Sequence, residues 1–153
     1  MPSEKITDKQ ELEAVLSRCE TGRFVTIDEA GYPYPLPVHF VYDNDHIYIH
    51  GRAQGERIIN MERDSRIGFE VDENLGYRQN GDSPCQVSTA YYSVVIRGRA
   101  AVLNDDQRRE AVLRLFAAKF SPQLNPDAMS PKAMAGTTII ELTVERMSGK
   151  KHN

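Results

Sequence analysis

The run Val87–Leu103 limits the fold more than any other stretch of the chain. Tyr92, Val94, Ile96, Gly98, Ala100 and Val102 alternate with Ser93, Val95, Arg97, Arg99 and Ala101. A period of two held over that length predicts a long strand with two distinct faces. Gly98, in its middle, permits the bend or bulge that a barrel needs.

Shorter runs repeat the period. Phe24–Asp28 reads as a strand, Glu29-Ala30-Gly31 as a turn, and Tyr34–Tyr42 as the returning strand. Asp43-Asn44-Asp45 turns the chain again into His46–His50, so 24–50 is an antiparallel meander. Arg66–Asp72 and Thr138–Met147 complete about six strands, with SGKKHN after them as a basic tail. Three helices are predicted. The first follows a Thr7…Gln10 capping pattern, buries Leu12, Val15, Leu16 and Cys19, and stops near Gly22. The second runs from about Gln54 to Arg63 and packs through Ile58, Ile59 and Met61. The third, capped by Asn104, shows Ala111, Val112, Leu115, Phe116 and Lys119 on one face. Polar, glycine-bearing Glu73–Ser88 reads as a mobile flap or lid, and Ser121–Gly136 as a loop with one helical turn. No regular strand–helix alternation appears. With 153 residues, the expectation is one mainly β (α+β) domain over 1–153, a barrel with helices outside and 1–22 packed on it.

Two features suggest a binding site. Pro35 and Pro37 lack an N–H and point the same way, so one side of their strand cannot complete a ladder. That leaves either a plain protected edge or room for a flat ligand against the backbone. Ile47–Asn60, IYIHGRAQGERIIN, is a strand that turns through Gly51 and Gly55 into a helix. Free N–H groups at a helix start, with Arg52 and Arg57 beside them, suit a phosphate. The alternative is a helix start with solvated arginines.

Other chemistry is missing. His46 and His50 stand about 13 Å apart on a strand, too far for one metal ion. Cys19 and Cys85 fit no metal or redox spacing, so no metal is expected and a reducing cytoplasm is. The net charge of -3 argues against nucleic acid, and no apolar run reaches membrane-spanning length. No nucleophile elbow, P-loop or dinucleotide fingerprint occurs. His50, ending a strand beside the basic loop, is the best reactive group, with a structural hydrogen-bonding role as its alternative. The reaction chemistry would then come from a cofactor.

GYPYPLPVHFVYDNDHIYIHGRAQGERI, RIGFEVD, YYSVVIRGRAAVLND and IIELTVERMSGK, in that order, resemble the pyridoxamine 5'-phosphate oxidase-like FMN-binding split-barrel proteins. The nitroimidazole-resistance (Nim-type) flavoproteins are the most similar branch, over Thr21–Lys150. The resemblance implies a six-stranded antiparallel Greek-key split β-barrel and a homodimer with FMN in two interface clefts. It implies Pro37, Val38 and His39 along the flavin ring, His50 and Gly51 at its edge, and Gly55 and Arg57 at the phosphate. Ser93 falls at a polar position facing the cofactor, and a histidine like His50 takes part in Nim-type chemistry. Glu56 departs from a second basic residue in several relatives, which Arg52 would offset. No extended C-terminal substrate motif is present, which argues against pyridoxamine phosphate oxidation. The expected function is an FMN-dependent oxidoreductase that reduces nitroaromatics or quinones, with NAD(P)H as donor. The alternatives are a flavin-storage dimer, or the same cleft holding FAD, a deazaflavin or haem.

Overall fold

The computed structural model describes residues 2–153. In chain order the strands are β1 (Glu4–Ile6), β2 (Thr21–Ile27), β3 (Pro33–His39), β4 (Val41–Asp43), β5 (His46–Gly51), β6 (Arg66–Gln79), β7 (Val87–Val102) and β8 (Thr138–His152). The helices are α1 (Lys9–Arg18), α2 (Glu56–Arg63), α3 (Asp106–Phe120) and the short α4 (Pro131–Ala135). The sheet order is β3-β2-β6-β7-β8-β5-β4, with β1 on β8. Every pairing among them is antiparallel.

β3 and β4 lie at opposite ends of that order, yet only Phe40 separates them in the chain. One bent strand therefore joins both edges of the sheet, and the sheet closes into a split barrel. Counted this way, six strands form the barrel, as expected. The count of eight comes from the break at Phe40 and from β1, whose three residues carry no periodicity long enough to read.

Phe24, Phe40, Phe69, Ile47, Ile49, Ile96 and Leu142 fill the barrel, and α1 and α2 close it with Leu12, Val15, Leu16, Ile58 and Met61. In β5, Ile47, Tyr48 and Ile49 are all buried. Alternation sends the isoleucines inward, while Tyr48 meets a second core under α3 with Val112, Phe116 and Ile139. The site is built where α3 covers this outer face.

Several boundaries differ from the sequence reading. Asp8, not Thr7, caps α1, its carboxylate accepting from Gln10 N at 3.1 Å. Gly22 does not stop that helix. It lies in β2, where a side chain would run into the Phe69 ring. Asp105, not Asn104, caps α3. Ile59, Leu115 and Ala111 face outward, and of the expected face of α3 Val112 and Phe116 are the residues buried. Residues 73–88 are no loose flap: β6 and β7 continue as a long hairpin, Gln79 pairing with Val87. Gly76, with φ at 98°, sits in a bulge between Asn74 and Tyr77. The tail is ordered too, because β8 runs to His152 between β7 and β1. The irregularity expected at Gly98 is present, its extra residue being Glu145 on β8.

Candidate functional site

At the open seam of the barrel, β3, β5 and the start of α2 converge. Thr21, Pro37, Val38, His39, His50 and Arg57 line a cleft of about 490 Å³ there. Each element has a local reason for its position. In β3, Pro33, Pro35 and Pro37 pair with Ile27, Val25 and Arg23 on its only hydrogen-bonded neighbour, β2. Prolines cannot donate, so Tyr34, Leu36 and Val38 supply the N–H groups for that ladder. The other side of β3 has no strand to pair with, as Pro35 and Pro37 implied. In β5, Ile47 and Ile49 point inward, so His50 falls on the outer face. Thr21 pairs with His39 and so joins the same wall.

α2 begins at Gly55, whose φ of 140° suits glycine and few other residues. No side chain caps this helix start. The Arg57 side chain folds back over Gly51, filling the space a Cβ there would occupy. It is half-buried. Among the described residues, no carboxylate ion-pairs with it and no group hydrogen-bonds its side chain. Burial alone moves its pKa, downward from the ordinary value. Arg18 and Arg66 behave oppositely, raised by Glu73 and Asp64. An uncompensated guanidinium at the end of a cleft, beside an uncapped helix start, is fitted to an anion.

Aromatic rings of α3 pack against the two histidines. His39 stacks on Phe120, centroids 5.0 Å apart, and His50 meets Phe116 edge to face at 4.4 Å. Phe116 and Phe120 stack at 6.0 Å. Burial, then the nearby His39 and Arg57, lowers the His50 pKa. A neutral ring at pH 7 follows, with one N–H and one bare nitrogen. Neither His39 nor His50 makes a side-chain hydrogen bond to another described residue, so neither ring serves as a structural tie. Lys119 holds α3 in place. Its ammonium donates to the carbonyls of Cys19 (2.5 Å) and Phe40 (2.9 Å) and lies 4.0 Å from the Phe40 ring centre.

The structure thus brings Pro37, Val38, His39, His50 and Arg57 together, with Gly51 beneath Arg57 and Gly55 opening α2. Arg52 is exposed on the loop and does not line the cleft. Ser93 lies across the barrel on β7, in a separate cavity of about 500 Å³ with Ile6, Met147 and Lys150. Thr21, Phe120 and the tie through Lys119 escaped the sequence reading. Ending α1 at Gly22 hid Thr21. The Phe116/Phe120 pair, one helical turn apart, was the available sign of an aromatic wall. Among the described residues, no cluster of three or more metal-ligating side chains occurs. No helix among them is long and apolar enough to cross a membrane.

Fold and cleft together define a split β-barrel protein with an anion-ended cleft at its seam. The pyridoxamine 5'-phosphate oxidase family model matches residues 8–151, and the chain belongs to that family. No curated protein matches it by sequence. Solved structures share the fold at low identity. A candidate 5-nitroimidazole antibiotic resistance protein from Bacteroides thetaiotaomicron is 22% identical with a TM-score of 0.82, covering 98% of this chain and 89% of its own. The FAD and haem binding protein of Mycobacterium smegmatis is 21% identical with a TM-score of 0.81, covering 97% and 73%. A FAD-binding protein from Mesorhizobium loti is 22% identical with a TM-score of 0.73, covering 100% of both chains.

Proposed function

We propose that the chain is a flavin-dependent oxidoreductase that holds FMN in this cleft. It reduces small oxidised molecules such as nitroaromatics or quinones, with NAD(P)H as electron donor. Arg57 carries the reading, because an unpaired, half-buried guanidinium is costly unless an anion meets it. Bound FMN supplies the electron carriage. Arg57 and the N–H groups of α2 hold its phosphate, and Arg52 adds charge from the loop. The β3 backbone at Pro37, Val38 and His39 flanks the flat ring system. His50 and Gly51 stand at its edge, and the free His50 N–H is available to an acceptor oxygen. We assign His50 the catalytic role.

The protein works as a homodimer in this reading. Ser93 lies across the barrel from the cleft, so it meets a cofactor only from a second chain. Cys19 and Cys85 are both free thiols, which suits the cytoplasm. Neither nucleic acid nor a membrane is a partner.

The deciding experiment is the absorbance spectrum of the isolated protein, with mass spectrometry of the released ligand. FMN is the expected mass. FAD, named for two of the structural relatives, is the alternative that the mass separates. At one hundred times its dissociation constant FMN adds about 2.7 kcal/mol, a rise in Tm of roughly 5–10 °C. No shift in ligand-free protein rejects the cofactor. Turnover of a nitro or quinone acceptor with NAD(P)H separates an enzyme from a flavin store.

A further inference from the structure

Two cavities share His39 and His50. One is the cleft that ends at Arg57. The other, of about 310 Å³, lies under α3, walled by Leu113, Phe116 and Phe120 with Met129 from the following segment. Its size is at the lower end for small-molecule sites. We propose that this second pocket is an acceptor subsite for a flat, uncharged molecule of one or two rings carrying a carbonyl or nitro oxygen. The proposal rests on the flavin reading for its chemistry, but not for its occupancy.

Three observations support that ligand class. The wall is aromatic and aliphatic, and phenylalanine faces and a methionine thioether favour planar rings. The polar edge has a pair of imidazoles with no hydrogen-bond partners among the described residues, while the Ser121 and Thr137 hydroxyls that also line the pocket donate to the carbonyls of Ala117 and Ala133. A nitro or carbonyl oxygen accepts a hydrogen bond and offers none, which matches a neutral histidine N–H. Lastly, the pocket holds no fixed charge. Lys119, on the same helix, has its ammonium tied to the Cys19 and Phe40 carbonyls and is absent from the lining. A carboxylate or phosphate would lose its hydration there without gaining an ion partner. The two cavities therefore sort ligands by charge, with the anion at Arg57 and the neutral ring under α3. A molecule in the second pocket touches the same imidazole pair that borders the first.

The test uses 1,4-naphthoquinone as probe, titrated by calorimetry into FMN-saturated and ligand-free protein. The probe should bind both forms, and FMN should not displace it. Ala117 lines the pocket, so Ala117→Trp fills it. The affinity for the probe should fall about tenfold or more, while FMN affinity stays within about threefold. Leu115→Ala, on the outward face of α3, should change neither. If Ala117→Trp does not fold, methyl-labelled methionine gives a second readout in the native chain. The Met129 methyl signal should move with probe, while those of Met61 and Met147 stay still. Displacement by FMN, full affinity in folded Ala117→Trp, a silent Met129 signal, or no binding of the probe overturns the proposal. Quinone binding by protein that binds no flavin would refute the flavin reading and leave the pocket standing.

Discussion

The barrel interior and the seam cleft are built to different rules. Inside, every group has a partner. Phe40 and Phe69 pack edge to face at 4.9 Å, Gly22 leaves space for the Phe69 ring, and buried Asn60 donates to Thr26 Oγ1 at 3.1 Å. At the seam, Arg57 has no carboxylate, two imidazoles have no hydrogen-bond partner, and β3 has one unpaired edge. A half-buried charge left this way weakens a fold, while the two exposed imidazoles stay open to water or a ligand. Their concentration at one place, beside a barrel core without an unpartnered polar atom among the described residues, separates what holds the molecule together from what it offers a ligand.

The contrast can be broken residue by residue. The largest expected effect is His50→Ala. Turnover per bound flavin should fall roughly 10²–10⁴-fold, with FMN affinity within a few-fold and Tm unchanged. An unchanged per-flavin rate removes His50 from the chemistry. Next comes Phe69→Ala, which opens a cavity in the barrel and should cost about 3–5 kcal/mol in chemical denaturation. Its kinetics per folded molecule should stay near wild type. A selective loss of activity instead would mean that core and cleft are coupled.

Arg57→Ala should weaken FMN roughly ten- to a hundredfold and leave riboflavin, which lacks the phosphate, nearly untouched. The ligand-free Tm should hold or rise, because no ion pair is lost and a half-buried, unpaired charge is removed. Equal losses for both ligands would place Arg57 on the structural side.

The smallest effect is in pH. Burial, His39 and Arg57 hold the His50 pKa below its ordinary 6.5 in the folded chain. Between the two values the unfolded chain binds more protons, so stability rises with pH there. It is fully present above the ordinary value and is lost as pH falls through the window beneath it. Denaturant midpoints measured across that window should slope less in His50→Gln. An unchanged slope would show that the seam imidazole is hydrated like a surface one.

How much of this was legible in the sequence follows the same division. Period-two alternation marked the central strands, because each presents one apolar face to the interior. The proline spacing in β3 forecast the unpaired edge. Polar stretches were misread. Residues 73–79 and 148–152 form strands because β7 pairs with them, and pairing leaves no local signature. The aromatic wall needed tertiary information. Phe116 reads as an ordinary core residue of a helix, Phe120 lies outside the predicted face, and only packing α3 on β5 brings them to His39 and His50.

The bend at Phe40 has a kinetic consequence. β6–β7 and β7–β8 are pairs of sequence neighbours in the sheet, whereas β5 must find β8 across most of the chain. Joining such distant partners requires closing a long loop, an entropic penalty that local hairpins avoid. β3 and β5, which carry the two histidines, already meet through the local β4–β5 hairpin, whereas α3 reaches them only through contacts distant in the chain. The pocket under α3 therefore forms late in folding. In denaturant-jump experiments a ligand of that pocket should slow the unfolding limb and leave the refolding limb where it was. Its occupancy would act as a brake on opening rather than a template for assembly.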